Sequence, residues 1–219
     1  MNRLNKTLTQ VEILLVGILV FADVAATGMA QAPSALQGGA DDVYAIYSAM
    51  ITSRMTPQQE DTDEIYLIEE TTVDSGGPGC VKAPLPEASI LAEVVAEYNQ
   101  KINPSVVLAR QFTLPKPYEL LDRDKVTEFL RDALEATPQL LPRGGVAPVN
   151  QNPLFPKAKR IFRFSEVYFD KSRTSALAWV AIYTTSVDFR GSWRPYRKSA
   201  AGFWEENRSW TACGQTVIR

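Results

Sequence analysis

The sequence predicts an α+β fold, in which an antiparallel β-meander at the C-terminus packs with about three amphipathic helices. Apolar residues recur at helical spacing in segments before residue 138, whereas turn-bounded, strand-like segments follow residue 156. The stretch 138–156 is rich in proline and glycine and predicts a long loop. We expect a single domain over residues 40–219, because a four-strand meander alone would leave its apolar central strand half exposed.

The first segment, residues 1–30, has the pattern of a removable export signal. A positively charged start precedes the apolar run Ile13–Ala22, and cleavage is expected after Ala30 or, alternatively, after Ala26. A retained membrane anchor would need about 20 apolar residues, which is more than this run supplies. We therefore expect an exported protein, in the periplasm or the medium, with no membrane span after cleavage.

Three amphipathic helices are expected before the loop. A tether over 31–39 leads to the first helix, with Asp41 or Asp42 as its N-cap. Pro86 is expected to open the second helix, and the third helix begins near Asp122. The three apolar stripes are Val43, Ile46, Tyr47, Met50 and Ile51; Ile90, Leu91, Val94, Val95 and Tyr98; and Val126, Phe129, Leu130, Ala133 and Leu134.

Strands are expected on both sides of the loop. Before it, the segments 65–73 and 106–114 are rich in β-branched and other apolar residues. The C-terminal meander comprises 161–169, 176–185, 193–198 and 203–210. The strand over 176–185 carries apolar residues on both faces, so we expect it to be central in the sheet.

The two cysteines, Cys80 and Cys213, are far apart in the sequence. Cys80 follows the turn-rich stretch 74–79. An even number of cysteines in an oxidising compartment predicts one disulfide, and two unpaired thiols are the alternative. In the chain-entropy model, a bridge that closes so long a loop stabilises the fold by about 4–5 kcal/mol.

The composition narrows the possible chemistry. The chain has no histidine, which excludes Ser-His-Asp, Cys-His and His-metal sites. An enzyme would have to use carboxylates, lysine, tyrosine or a bare nucleophile. The formal net charge is -2, and the leader holds as many acidic as basic residues, so cleavage leaves this value unchanged. A charge so close to neutral gives no general electrostatic attraction to nucleic acid. We also expect no cofactor and no metal.

The C-terminal segment 164–205 carries an ordered set of motifs: S-x-V-x-F, A-L-x-x-V, a loop glycine, a lysine-ending strand and G-x-W. The matching residues are Ser165, Val167 and Phe169; Ala176, Leu177 and Val180; Gly191; Lys198; and Gly202 with Trp204. This pattern resembles that of uncharacterised exported bacterial proteins. In those proteins the loop before the lysine strand contains cysteines, whereas residues 184–191 here have none. The resemblance implies a β-meander and brings no activity with it.

A basic-aromatic cluster is the main candidate for ligand binding. Its members are Phe189, Arg190, Trp193, Arg194, Tyr196, Arg197 and Lys198. Aromatic faces and guanidinium groups bind glycans, peptide carboxylates or anionic polymers by stacking and bidentate hydrogen bonds. The alternative is a hairpin whose rings pack inward while the cations face water.

Acidic residues suggest two further sites. The run Glu60, Asp61, Asp63 and Glu64 offers oxygen ligands for calcium, although it lacks the glycine and terminal glutamate of a calcium loop, which favours a solvated loop. The pairs Glu205–Glu206 and Glu69–Glu70 would suit glycoside hydrolysis. Adjacent strand residues point to opposite faces, however, which favours ordinary strand-edge charges.

These features lead to three functional hypotheses. The first is a non-catalytic exported domain that binds an envelope protein, a peptide or a glycan through the C-terminal sheet. The second is a histidine-free hydrolase that cleaves a cell-wall or extracellular polymer with carboxylates brought together from distant segments. The third is a structural component of the envelope with no small-molecule site.

Overall fold

The computed structural model describes the segments 37–53, 64–101, 105–135, 155–184 and 189–217. The chain divides into two units, Met1–Gly38 and Gly39–Arg219, and every contact discussed below lies within the second. The predicted signal, its cleavage site and most of the 138–156 loop lie outside the described residues. Within the described segments, no helix is long and apolar enough to cross a bilayer.

The three predicted helices are confirmed. Helix α1 spans Gln37–Thr52, α2 spans Ala88–Gln100 and α3 spans Arg123–Glu135. A 3-10 turn over Leu85–Glu87 leads directly into α2. This turn contains Pro86, the residue expected to open the second helix. Proline is favoured near a helix start because it loses no hydrogen bond there and already has a helical φ.

Helix α1 begins earlier than expected. It starts at Gln37, so the end of the predicted tether is helical and Asp41 and Asp42 lie inside the helix rather than at its N-cap. The carboxylate of Asp42 accepts hydrogen bonds from Trp204 Nε1 and Lys198 Nζ, both at 2.8 Å. Asp42 therefore makes a tertiary contact instead of capping the helix, which is the role that local sequence rules predict for it.

Eight strands of the described chain form one mixed sheet. They are β1 (Ile65–Glu69), β2 (Tyr118–Leu121), β3 (Ala158–Phe164), β4 (Tyr168–Phe169), β5 (Ser175–Thr184), β6 (Phe189–Lys198), β7 (Trp204–Glu206) and β8 (Cys213–Val217). The order across the sheet is β2-β1-β3-β5-β6-β7, with β4 paired to β5 and β8 paired to β6. Strand β1 is parallel to β2 and β3, and the other pairs are antiparallel. The fold is α+β, as predicted, and it ends in an antiparallel meander.

The strand predicted over 106–114 is wrong. That segment forms a single bridge to Thr71, and the N–H of Ala109 donates to the hydroxyl of Tyr44 in α1 at 2.6 Å. The edge of the sheet is formed instead by β2, in register with β1. The β-rich composition of 106–114 was a poor guide because side chains of α1 satisfy part of its backbone.

Other predicted strands are shorter than expected. The strand over 65–73 ends at Glu69, and the strand over 203–210 ends at Glu206. The strand over 161–169 is divided into β3 and β4. At the break, the N–H of Trp179 in β5 donates to the Oγ of Ser165, so a side chain replaces a backbone partner.

Helices cover both faces of the sheet. Helix α1 packs on one face and α2 and α3 pack on the other. Strand β5 alternates between these layers: Ala178 and Val180 face α1, whereas Leu177 joins the cluster under α2. All three are fully or almost fully buried. The prediction of a central strand with two apolar faces is confirmed.

The predicted disulfide between Cys80 and Cys213 is present, with the Cα atoms 5.8 Å apart. Two backbone hydrogen bonds between Lys82 and Thr211, at 2.7 and 3.4 Å, continue the same junction. The bridge therefore fastens the segment that leads into α2 to the beginning of β8.

Candidate functional site

The basic-aromatic cluster is divided between the two faces of the sheet. Side chains alternate along a strand, so Tyr196 faces α1 and Trp193 faces α2. Tyr196 is 1% exposed and Trp193 is 3% exposed. Both rings belong to the core and do not form a shared stacking surface, so ligand binding stays a prediction for the cations of the cluster.

The other members of the cluster are spread along β6. Phe189 begins the strand, and Arg190 and Arg197 are exposed. Arg194 Nη1 donates to Glu206 Oε1 at 2.7 Å, and Lys198 is bound to Asp42 as described above. Of these residues, Arg197 joins Tyr196 in lining a groove.

This groove lies between the C-terminal end of α1 and β7, and we call it the α1–β7 groove. Its volume is about 670 Å³, which falls within the usual range for small-ligand sites. The lining residues are Ala49, Thr52 and Ser53 at the end of α1; Tyr196 and Arg197 in β6; Trp204, Glu205 and Glu206 in β7; and Asn207, Arg208 and Ser209 after β7.

The hydroxyl of Tyr196 is the most unusual group in the groove. It is buried, and it forms no hydrogen bond with any described residue. The nearby hydroxyl of Ser53 donates to the Met50 carbonyl oxygen at 3.2 Å. Burial raises the pKa of Tyr196 and the carboxylate of Glu206 raises it further, whereas a weaker side-chain interaction with Ser53 and the charge of Arg194 lower it. The hydroxyl therefore stays protonated and is available as a donor.

The charges around the groove are mixed. Glu206 is paired with Arg194, and Glu205 is exposed on β7. Arg197 and Arg208 are exposed, and neither takes part in an ion pair among the described residues. Because both arginines and carboxylates line the groove, it favours neither a polyanion nor a polycation.

Contacts between distant parts of the chain fix the groove walls. The bond from Trp204 Nε1 to Asp42 joins residues 162 positions apart and holds β7 against α1. Behind the groove, the carboxylate of Glu87 accepts a hydrogen bond from Asn207 Nδ2 at 3.2 Å and further bonds from Ser209 and Trp210. Sequence reasoning missed these contributions of Asp42 and Glu87, because nothing local marks partners so far away.

A second cavity, of about 620 Å³, lies between α2 and the turn after β4. Its carboxylates already have partners: Glu93 accepts from the N–H of Lys171 at 3.2 Å, and Glu97 accepts from the N–H of Phe169. Asp170 accepts from backbone N–H groups of its own turn. These bonds attach the turn to α2, so we assign this cavity a structural role.

The acidic residues at the two ends of β1 are structural as well. The solvated loop expected at the acidic run is wrong for Glu64, which is buried between Lys116 at 3.5 Å and Arg160 at 3.7 Å. The rest of that run lies outside the described residues. Glu69 is also buried, so it is not the strand-edge charge we expected, and it pairs with Arg163.

No cluster of metal-binding side chains occurs within the described segments. Comparison of this chain with family models, with curated proteins and with solved structures found no match. The α1–β7 groove is therefore interpreted from its own chemistry.

Proposed function

We propose that this chain is an exported, non-catalytic binding domain whose ligand occupies the α1–β7 groove. The observation that carries this proposal is the buried hydroxyl of Tyr196, which has no hydrogen-bond partner among the described residues. An unsatisfied buried polar group costs about 1–3 kcal/mol. An acceptor on a ligand would remove that cost, so the site gains specificity for ligands that place an acceptor there.

Export is supported by two features. The apolar run in residues 1–30 has the length and flanks of a cleavable signal. The Cys80–Cys213 disulfide is of a kind that persists mainly in oxidising compartments. Mass spectrometry of the exported protein should find an N-terminus after Ala30. An intact Met1 recovered with the membrane fraction would contradict this part of the proposal.

The binding proposal is tested with defined probes from different chemical classes. We suggest a mixture of acetylated tetrapeptide amides, the neutral glycan chitotetraose and the anionic glycan trigalacturonate, each at about 1 mM, where weak complexes are still detected. NMR spectra of the uniformly ¹⁵N-labelled domain should show shifts of the Trp204 and Glu206 amides with at least one probe. Tyr196→Phe should weaken that response.

A matched control lies on the other side of the molecule. Lys125 is an exposed cation on α3, paired with Asp122 at 3.2 Å, so Lys125→Ala should leave probe binding unchanged. If all three probe classes fail to shift the groove amides of the wild-type domain, the binding proposal is rejected.

The histidine-free hydrolase is the second candidate, because Glu205 and Glu206 both line the groove. Against it, Glu206 is already bonded to Arg194. Mass spectra of the probes after long incubation separate the two functions. Intact probes agree with a binding domain, whereas cleavage that is abolished by Glu205→Gln or Glu206→Gln would replace it with the hydrolase.

A further inference from the structure

We propose that the ligand of the α1–β7 groove is an extended peptide segment, which pairs with the outer edge of β7. This inference rests on the proposed binding function and names its ligand class. It is carried by the backbone of β7, by the hydroxyl of Tyr196 and by the mixed charge of the groove.

The hydrogen-bond pattern fixes which backbone groups of β7 face outward. The N–H of Asn207 donates to the Pro195 carbonyl at 2.8 Å, and the N–H of Ser199 donates to the Phe203 carbonyl at 2.7 Å. Inward and outward residues alternate along an antiparallel strand. The backbone groups of Trp204 and Glu206 therefore point away from β6.

A second bond confirms this alternation from the side of β6. Lys198 is the register partner of Trp204, and its N–H donates to the Thr174 carbonyl at 2.8 Å, away from β7. Among the described residues, β7 pairs only with β6. Trp204 and Glu206 thus present two donors and two acceptors along a free strand edge, which is the template that an added strand requires.

The side chains beside this edge suit a neutral peptide better than a strongly charged ligand. An extended peptide backbone is neutral and alternates donors with acceptors, so it is not repelled by either Glu205 or Arg208. A polyanion would meet the carboxylates of β7, and a polycation would meet the arginines. The Tyr196 hydroxyl has no hydrogen-bond partner among the described residues. A polar side chain of the peptide that points toward α1 would supply an acceptor for it.

An exposed aromatic ring adds a contact for a peptide side chain. Phe203 immediately precedes β7 and is 70% exposed, although most large apolar side chains of the described chain are buried. Side chains of paired strands pack against their cross-strand neighbours. An apolar side chain of the peptide would cover this ring at one end of the paired segment.

Amide hydrogen exchange tests the pairing at single residues. The probe is the mixture of acetylated tetrapeptide amides, and the matched probe is the same mixture with every peptide nitrogen methylated. At about ten times the Kd, the unmethylated peptides should slow exchange of the Trp204 and Glu206 amides about tenfold. Glu205 is an internal reference, because its backbone already faces β6. The methylated mixture should protect much less, because it lacks donors.

The variant Tyr196→Phe tests the side-chain contact. Loss of one hydrogen bond to the peptide should weaken binding about two- to tenfold, whereas Lys125→Ala should bind as the wild type does. Thermal unfolding of the free Tyr196→Phe variant shows whether the fold is intact.

The outcomes separate this inference from the proposed function. Equal protection by the methylated and unmethylated mixtures would overturn strand pairing. Dimerisation that depends on protein concentration and protects the same amides without peptide would also overturn the inference. The strand that pairs with β7 would then come from a second copy of the chain. If a glycan shifts the groove amides and the peptides do not, the peptide inference fails and the binding function stands. If no probe reaches the groove, both fail.

Discussion

At the scale of single residues, burial of a polar group has opposite effects on the stability of the fold at two sites. Glu69 is buried with its charge paired to Arg163, and Arg123 lies 3.8 Å away. Tyr196 is buried to the same degree, and its hydroxyl has no partner in the described segments. A satisfied buried group holds the fold together, whereas an unsatisfied one in a groove lowers stability and favours ligand binding.

We predict that Tyr196→Phe raises the free energy of unfolding by about 1 kcal/mol, because the variant no longer buries an unsatisfied hydroxyl. Urea unfolding without ligand measures this difference. Tyr47→Phe is the matched control, since the Tyr47 hydroxyl donates to the Ser165 carbonyl at 2.7 Å and its loss should destabilise the protein. A clear loss of stability in Tyr196→Phe would show that the hydroxyl has a structural partner.

We predict that Glu69→Ala lowers the free energy of unfolding by about 3–5 kcal/mol, because it leaves the half-buried Arg163 without its counter-ion. Glu128→Ala is the control: its carboxylate is exposed and lies 3.9 Å from Arg131, so its removal should cost at most about 0.5 kcal/mol. Urea midpoints compare the two. Equal, small effects would mean that Arg163 finds water or another partner.

At the scale of elements, the turn before α2 and the segment after β7 are held together by one carboxylate. Glu87 accepts hydrogen bonds from Asn207, Ser209 and Trp210. The hydrogen bond from Asn207 contributes most to lowering the pKa of Glu87 below its ordinary value of 4.5, followed by that from Trp210. The charged form of this carboxylate is therefore the one that the fold stabilises.

This shift predicts a pH dependence. A carboxylate whose pKa is lower in the folded state stabilises the protein above its unfolded pKa, and that contribution is lost as the pH falls through the folded value. Between pH 6 and pH 3, stability of the wild type should therefore fall more steeply than that of Glu87→Gln. Ser209→Ala removes a weaker bond and should change the slope less. Parallel pH profiles for the wild type and Glu87→Gln would contradict the assignment.

Pairing of β8 with β6 depends on a glycine. A Cβ atom at Gly214 would overlap the Gly191 carbonyl oxygen and lie 2.9 Å from Ser192 Cα. Gly214→Ala should therefore lower stability by about 1–3 kcal/mol and speed amide exchange in β8. At Gly79 a Cβ would meet no heavy atom within 4 Å, so Gly79→Ala is the control. The prediction fails if both variants unfold at the same temperature.

At the scale of the whole molecule, the disulfide joins parts of the chain that are 133 residues apart. One end lies before α2, and the other lies in β8, beside the central strands. The enclosed segment contains all of α2, α3 and strands β2 to β7. Such a bridge restricts the unfolded chain strongly, because the loop that it closes is long.

We predict that Cys80→Ser/Cys213→Ser lowers the free energy of unfolding by about 2–5 kcal/mol. Urea unfolding of the wild type with a thiol reductant should reproduce most of this loss, and the reductant should not affect the double variant. If the oxidised and reduced wild-type proteins unfold at the same urea concentration, the bridge adds no stability.

The sequence by itself determined the three helices and the central strand, and it favoured the cysteine pairing over two free thiols. Each helix follows from the 3.6-residue spacing of its apolar side chains, and the predicted start of α3 is supported by a hydrogen bond from the Lys125 N–H to Asp122 Oδ1. Two apolar faces placed β5 inside the sheet. The helices and the central strand depend on residues that are close together in the chain. The cysteine pairing was inferred from the even number of cysteines and from the expected oxidising compartment.

Only the tertiary structure decided the parallel pairing of β1, the absence of a strand over 106–114 and the assembly of the α1–β7 groove. The sequence left Tyr196 either in a ligand-binding cluster or packed inward, and its role as an unsatisfied donor depends on α1 and β7, whose positions Asp42 helps to fix. Strand order and burial depend on contacts between distant residues, and alternation along one strand cannot specify which element covers each face.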